Sequence, residues 1–369
     1  MVIAYLLGGF QGNGGIGRVT SVLVNNLVKD ENIEIHTVSF LQKDTPDLYS
    51  LDKSVKKHHL YEKSVSMVKA MLLKHAIKKL KKILIENRVD ILVCCGALFF
   101  PLGIYACKRL SVKCICWEHT NPSANADYRF QNLCRKVAVK KADMMVVLTK
   151  SAQKYYLERY PIVKLKIAQI YNPVDFKKNG FVEYNAESKK IISVGRLSYQ
   201  KNFERLISIA TVVLPKYPEW SWDIYGEGEQ RVILQKLIDD NGLHDRLSLR
   251  GQVNDLYDRY KDYAFIVMTS RYEGFPMALL EGAGNGLPLV SFDIQTGPNE
   301  IIVDGKNGFL VEPSRDEDMI ARICELIDNV KLRVEMSVEV NKIKDKFDTE
   351  EIKLEWKRLF ADILKKTKA

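Results

Sequence analysis

The chain has 369 residues, more than one hydrophobic core of ordinary size holds, so two domains are expected. An apolar fraction of 46% with 28% charged residues excludes a disordered or fibrous chain, and no apolar run approaches the roughly 20 residues of a membrane helix. The net charge of +10 is uneven: residues 1–175 hold 27 Lys and Arg against 14 Asp and Glu, while residues 176–369 hold 29 against 32.

Met1-Val2-Ile3-Ala4-Tyr5-Leu6-Leu7 has no basic flank and runs into a glycine loop, so it reads as a buried first strand and not as a signal peptide. Gly12-Asn13-Gly14-Gly15-Ile16-Gly17 follows, then a helix from about Arg18 to Asp30. The loop satisfies the dinucleotide pattern G-x-G-x-x-G. The second strand, Ile33–Phe40, nevertheless ends without the acid that would hold an adenosine ribose.

Positive charge then concentrates between Lys53 and Lys82. Val65, Val68, Leu72, Ile77, Leu80 and Leu84 make a helical stripe with lysines 69, 74, 78, 79, 81 and 82 around it. Two readings stand: a helix lying on an anionic membrane surface, or a core helix with a solvated basic face. Ile91–Cys95, Cys114–Trp117 and Met144–Leu148 read as further buried strands. Seven cysteines with no Cys-x-x-Cys pair, four of them in these runs, read as free buried thiols of a protein in reducing cytoplasm. Trp117-Glu118-His119-Thr120-Asn121-Pro122 closes one strand. His36, His58, His59, His75 and His244 have no partner pattern and are assigned to the surface.

Asn172-Pro173-Val174-Asp175 breaks the pattern, and a second α/β run begins at Lys190. Strand 190–194 ends in Gly195-Arg196-Leu197, and Gln200-Lys201-Asn202 opens the next helix. Arg196 and Lys201, five residues apart across this turn, can clamp one diphosphate. Trp222–Tyr225 and Leu247–Leu249 read as strands, the first ending in the tight turn Gly226-Glu227-Gly228. Strand Phe265–Met268 leads to Glu273-Gly274-Phe275-Pro276-Met277-Ala278-Leu279-Leu280-Glu281. Pro276 suits the first helical turn, which leaves the amides of Met277, Ala278 and Leu279 free for a phosphate. Glu273 precedes that anion site, and Glu281 lies on the second turn, within reach of hydroxyls on the same ligand. Phosphates in the middle with hydroxyls at both ends describe a nucleotide-sugar. Strands alternating with helices imply two parallel, doubly wound sheets that bind ligands beyond the carboxyl ends of their strands.

These residues resemble the family 4 retaining glycosyltransferases of bacterial surface-polysaccharide type. The resemblance rests on Val194-Gly195-Arg196-Leu197 with Lys201, on the two glutamates, and on Gly297-Pro298-Asn299-Glu300-Ile301-Ile302 followed by Gly305-Lys306-Asn307-Gly308-Phe309. It spans the chain and is thinner in the first half. It implies the GT-B fold: two Rossmann-like domains, 1–172 on the acceptor side and 173–348 for the donor, facing across a cleft, with a last helix, 349–369, crossing back to the first. It also implies roles. Arg196 and Lys201 would hold the diphosphate, Glu281 the ribose, Glu273 the sugar hydroxyls, and the amides after Phe275 the phosphates. Val253 would meet the base through its main chain, Gly14 and Gly15 would let backbone approach the phosphates, and His119 would touch the donor sugar. Glu118 is open between orienting His119 and meeting the acceptor.

The expectation is a transferase that moves a hexose or N-acetylhexosamine from a UDP-sugar to a glycan acceptor, lipid-linked at the inner membrane face. No metal or other cofactor is expected, because the two cations neutralise the leaving group. Asp316-Glu317-Asp318 reads as charge at a helix start. No nucleic-acid partner is expected. Two alternatives stand: a nucleotide-sugar epimerase, or a non-catalytic homologue that activates a partner enzyme.

Overall fold

The computed structural model describes residues 1–11, 15–41, 46–62, 70–122, 129–161, 166–174, 183–253 and 256–365. Gly14, Val65 and Val68 lie outside them, as does the side chain of Leu72. The chain divides into two compact units, Met1–Asp175 with Phe347–Ala369, and Phe176–Lys346.

The first unit runs β1 (Val2–Leu7), α1 (Gly15–Leu27), β2 (Glu34–Leu41), β3 (Lys56–Tyr61), α2 (Ala70–Glu86), β4 (Ile91–Cys95), α3 (Phe100–Cys107), β5 (Lys113–Glu118), α4 (Arg129–Lys141), β6 (Met144–Val147), α5 (Lys150–Arg159) and β7 (Ile167–Gln169). Its strands pair in parallel in the order β3-β2-β1-β4-β5-β6-β7, so the winding reverses between β1 and β4. The central runs YLL, ILVCC and CICW are apolar on both faces because helices cover both.

The second unit runs β8 (Lys190–Val194), α6 (Phe203–Val213), β9 (Ser221–Tyr225), α7 (Arg231–Asp240), β10 (Leu247–Gly251), α8 (Leu256–Arg259), β11 (Phe265–Met268), α9 (Met277–Gly284), β12 (Leu289–Phe292), α10 (Pro298–Ile301), β13 (Gly308–Val311), α11 (Asp316–Asp328) and α12 (Val330–Asn341). The short α13 (Lys344–Phe347) precedes α14 (Thr349–Lys365). The second sheet is also parallel, in the order β10-β9-β8-β11-β12-β13, and reverses between β8 and β11.

Helix α14 belongs to the first unit and packs on α1, where Lys357 pairs with Asp30. Its Trp356 meets Trp117 edge-on, with ring centroids 5.0 Å apart. Three expectations change. Strand β3 is unpredicted because Lys56-Lys57-His58-His59 reads as a solvated run, yet it pairs with β2 at the sheet edge. His36 is not a surface residue: it is buried, its Nδ1 lies 3.0 Å from His58 and its Nε2 2.8 Å from Glu34. In α2, Leu80 and Leu84 are buried in the core beneath the sheet, so that part of the apolar stripe faces protein and is not available to lipid.

Candidate active site

The second sheet brings two predicted residues into contact. Lys201 leaves the end of β8 and Glu273 follows β11, the strands on either side of the winding reversal. Lys201 Nζ lies 2.5 Å from Glu273 Oε1, with Glu273 only 5% exposed. Local conformation makes this possible. Asn202 takes the left-handed conformation (φ 57°) just before α6, which Asn tolerates better than most residues. Gly195 leaves room for the lysine stem: a Cβ there would fall 2.9 Å from Lys201 Cδ and Cε.

The two loops are tied together. Arg271 N–H donates to Gln200 O at 2.8 Å, and Gln200 Nε2 donates to Tyr272 O at 3.0 Å. Glu273 accepts three further side-chain or structural constraints: Ser270 Oγ donates to Oε1 at 2.7 Å, Gln200 Nε2 to Oε2 at 3.3 Å, and Thr296 Oγ1 to its main-chain carbonyl at 2.5 Å. A carboxylate this buried needs such partners. No sequence motif assigns a role to Ser270, Gln200 or Thr296. Ser270 carries a faint signal in its place three residues before Glu273. Thr296 carries none, because it comes from another strand's loop.

Arg196 is exposed and makes no ion pair among the described residues. Its loop is nonetheless closely packed. Gly226 and Gly228 lie against it so closely that a Cβ would fall 1.9 Å from Gly195 O and 2.2 Å from Leu197 O, respectively. The Gly-Glu-Gly turn is therefore a packing requirement. Gly251 (φ 72°) ends β10, its carbonyl accepts Gly226 N–H at 2.9 Å, and half-buried Val253 follows.

The helix start differs from expectation. Pro276 is the residue before α9, not its first turn, and its carbonyl accepts the Leu279 amide at 3.1 Å. That amide is therefore committed within the chain. The Ala278 amide has no hydrogen-bond partner among the described residues. Gly297 (φ 105°) lies over this turn: a Cβ there would fall 2.4 Å from Pro276 Cδ. This contact, with the positive φ, requires glycine at position 297. Glu281 is 2% exposed, and Tyr260 Oη donates to its Oε2 at 3.2 Å. Tyr260 is a further residue that the sequence did not mark.

In the first unit, Gly15 opens α1, and a Cβ there would meet nothing within 4 Å. Two residues on, Gly17 is closer packed: a Cβ there would lie 3.3 Å from Gly9 O. His119 follows β5 with its ring 4.3 Å from that of Trp117. The residue is partly exposed, but its Nε2 is enclosed and has no hydrogen-bond partner among the described residues. Burial pushes its pKa down to about 3, so the imidazole is neutral near pH 7. Glu118 does not orient His119. It accepts from Thr120 N–H at 3.0 Å, Thr120 Oγ1 at 2.7 Å and Arg135 Nε at 3.1 Å, all around a buried ion pair.

Asp316 and Asp318 sit in the first turn of α11 and pair with Arg205 and Arg315. Among the described residues, no group of three or more His, Cys, Asp or Glu is placed to hold a metal ion. Six of the seven cysteines are buried, and all are free. No described helix is long and apolar enough to cross a membrane.

Two parallel doubly wound units, each reversing its winding at mid-sheet, are the architecture of the GT-B fold. The Staphylococcus aureus TarM structure, solved with fondaparinux, alpha-GlcNAc-glycerol and UDP, shares that fold at a TM-score of 0.82, covering 97% of this chain and 99% of TarM at 18% identity. Two family models match consecutive stretches, Glycosyltransferase Family 4 at residues 13–178 and Glycosyl transferases group 1 at residues 175–342. The chain belongs to the family 4 glycosyltransferases and is an enzyme of that class. An uncharacterized glycosyltransferase of Haemophilus influenzae is 27% identical, over 93% of this chain and 95% of its own length. The amylovoran biosynthesis glycosyltransferase AmsD of Erwinia amylovora is 27% identical, over 89% of this chain and 90% of its own.

Proposed function

We propose that the enzyme moves a hexose or N-acetylhexosamine from a UDP-sugar to a lipid-linked glycan acceptor with retention of configuration, in the building of a surface polysaccharide. One observation carries the reading: the Lys201–Glu273 pair at the winding reversal of the second sheet. A lysine on a flexible stem, already placed beside a carboxylate, can exchange that carboxylate for a donor diphosphate. Glu273 is then released to take the hydroxyls of the transferred sugar. Arg196 supplies the second cation from its exposed position, and the Ala278 amide adds a hydrogen bond to phosphate. Glu281, held by Tyr260, is assigned to the ribose, and the Val253 main chain to the base.

Charge builds on the departing UDP, and fixed cations there stabilise the transition state more than the ground state. The donor β-phosphate oxygen takes the proton from the acceptor hydroxyl on the same face. His119 is neutral and is assigned to a sugar hydroxyl, not to proton transfer. UDP beside alpha-GlcNAc-glycerol in TarM supports the nucleotide and an α-linked product. The amylovoran enzyme supports a polysaccharide acceptor.

With Lys201 and Arg196 as the cations, donor binding needs no divalent metal. Calorimetric titration of UDP with and without EDTA should give the same affinity, and loss of binding with chelator would overturn the metal-free assignment. A panel of nucleotide-sugars assayed for slow hydrolysis without acceptor identifies the sugar; no turnover of any UDP-sugar would contradict the donor class.

A further inference from the structure

A cavity of about 290 Å³ opens in the second unit beside the Lys201–Glu273 pair. Asn202 and Arg205 border it from the start of α6, Ser270 and Arg271 from the loop after β11, and Ile294 and Pro313 from the loops after β12 and β13. The donor roles assigned above do not use it. Ser270 joins the two places, because its Oγ lies 2.7 Å from Glu273 Oε1. Asn202 is 5% exposed, and its side-chain amide makes no hydrogen bond among the described residues. An Asn before a helix ordinarily takes an extended conformation and caps the helix with its side chain. Here the left-handed turn replaces that cap, and glycine would hold the same turn at less cost. A buried amide without a partner is costly, so its partner belongs in the cavity it borders.

Both arginines are held in place and keep donors in reserve. Arg205 Nε lies 2.5 Å from Asp316 Oδ1, and its guanidinium stands 4.1 Å from the centroid of the Phe292 ring. Its two terminal nitrogens make no hydrogen bond among the described residues. Arg271 donates from one terminal nitrogen to Tyr199 O at 2.5 Å and stacks 4.0 Å from the centroid of the Tyr199 ring. Its other terminal nitrogen is 3.8 Å from Glu204, beyond hydrogen-bond length. Planar forks of this kind recognise carboxylate or phosphate. The acid in the lining, Asp293, is exposed and accepts from Asn299 Nδ2 at 3.1 Å. The volume exceeds what a bare oxyanion fills and comes near the lower end of small-molecule sites, about 300 Å³. Ile294 and Pro313 add apolar surface, which suits the C–H face of a sugar ring and not an inorganic anion. We propose that this cavity seats an acidic sugar, a ring bearing a carboxylate or a phosphate, and that the sugar is a unit of the glycan acceptor. The oxyanion takes the free donors of Arg205 and Arg271, a ring hydroxyl takes the Asn202 amide, and Ile294 and Pro313 cover the ring. Ser270 then stands between this unit and Glu273, which is assigned to the transferred sugar. The inference rests on the transferase reading and narrows its acceptor to an acidic glycan.

The experiment is a ligand-observed NMR titration of the full chain, with and without UDP. The ligands are methyl glucuronide, glucose-6-phosphate, methyl glucoside and inorganic phosphate. The first two separate a carboxylate source from a phosphate source. One of them should bind about tenfold more tightly, or better, than both the neutral glycoside and inorganic phosphate. Asn202→Gly keeps the left-handed turn and should weaken that sugar about tenfold, with UDP affinity unchanged. Arg205→Gln and Arg271→Gln should each weaken it by about tenfold or more and leave the neutral glycoside unaffected. Thermal unfolding reports the fold of each variant, and Asn202→Gly decides the case if an arginine variant does not fold. In transfer from a UDP-sugar to the cell's own lipid extract, the acidic sugar should compete with the acceptor and the neutral glycoside should not. The proposal is overturned if neither acidic sugar binds while UDP does, or if the neutral glycoside binds as tightly. It is also overturned if inorganic phosphate binds as tightly and displaces the sugar, which would make the cavity a bare anion site. Equal affinity in wild type and Asn202→Gly would place the sugar elsewhere, and a bound acidic sugar that leaves transfer unchanged would remove it from the acceptor. An acidic sugar that binds where UDP does not would keep the site and count against the transferase reading.

Discussion

Each unit ends a central strand in a buried ion pair, and the two pairs differ in kind. In the first unit, Arg135 is locked: Nε meets Glu118, one terminal nitrogen meets Asn132 at 3.0 Å and the other Thr120 Oγ1 at 2.6 Å. All three of its nitrogens are engaged, and both side chains are at most 3% exposed. In the second unit, the Lys201 ammonium has one partner among the described residues, Glu273, and keeps 17% of its side chain exposed. A planar fork held at all three nitrogens is a fixed structural part. A single ammonium on a four-carbon stem, open on one side, can change partner. One strand-end pair is therefore fixed in place, and the other is able to exchange, as the proposed donor chemistry requires.

The largest expected effect breaks the first pair. Arg135→Met leaves Glu118 charged and buried, which should cost about 3–5 kcal/mol in the first unit's unfolding transition in urea, with UDP binding to the second unit unchanged. Lys201→Met should do the reverse, with little loss of stability and a large loss of UDP affinity. Comparable destabilisation by both would erase the distinction drawn between the pairs.

The two glutamates sharpen the second pair. Glu273→Ala should lower turnover about a hundredfold while UDP affinity stays near wild type, as for a contact made to the sugar as it transfers. Glu281→Ala should instead weaken UDP by about 1.5–3 kcal/mol, the worth of a charged hydrogen bond. Equal loss of UDP affinity in both variants would contradict the separate roles. Tyr260→Phe removes only the hydroxyl that steadies Glu281. A loss of about 1 kcal/mol in UDP binding is expected, with kcat nearly unchanged. No change would leave Glu281 independent of it.

The smallest signal is the pH response of His119, a partly exposed residue with an enclosed Nε2. Its pKa is lowered to about 3 from an ordinary value of about 6.5. As pH falls through that window, the unfolded chain takes up a proton that the folded chain refuses, so stability falls. His119→Phe should lose less stability than wild type between about pH 6.5 and pH 4, measured by thermal unfolding. An identical acid profile would show that the ring is solvated in the folded state.

Much of the fold was legible because its signals are local. Apolar strand runs and glycine loops alternating with helices marked parallel sheets, and the Arg, Lys and paired Glu pattern marked the family. The charged edge strand β3 was not legible, since Lys-Lys-His-His looks like a solvated run until β2 lies beside it. The buried state of His36 follows from the same pairing.

By itself the sequence determined which residue types stand after which strands, because spacing along the chain sets those positions. Only the tertiary structure decided their partners. Glu118 was claimed by an arginine 17 residues on, Glu281 by Tyr260, and the Leu279 amide by Pro276, while Lys201 came to rest on Glu273 across a 72-residue separation. It also decided which apolar side chains face the core and which, like Phe130, are left outside. Partner choice depends on distances between elements that are remote in sequence, and a buried charge or amide bonds with whatever the packing brings within about 3 Å.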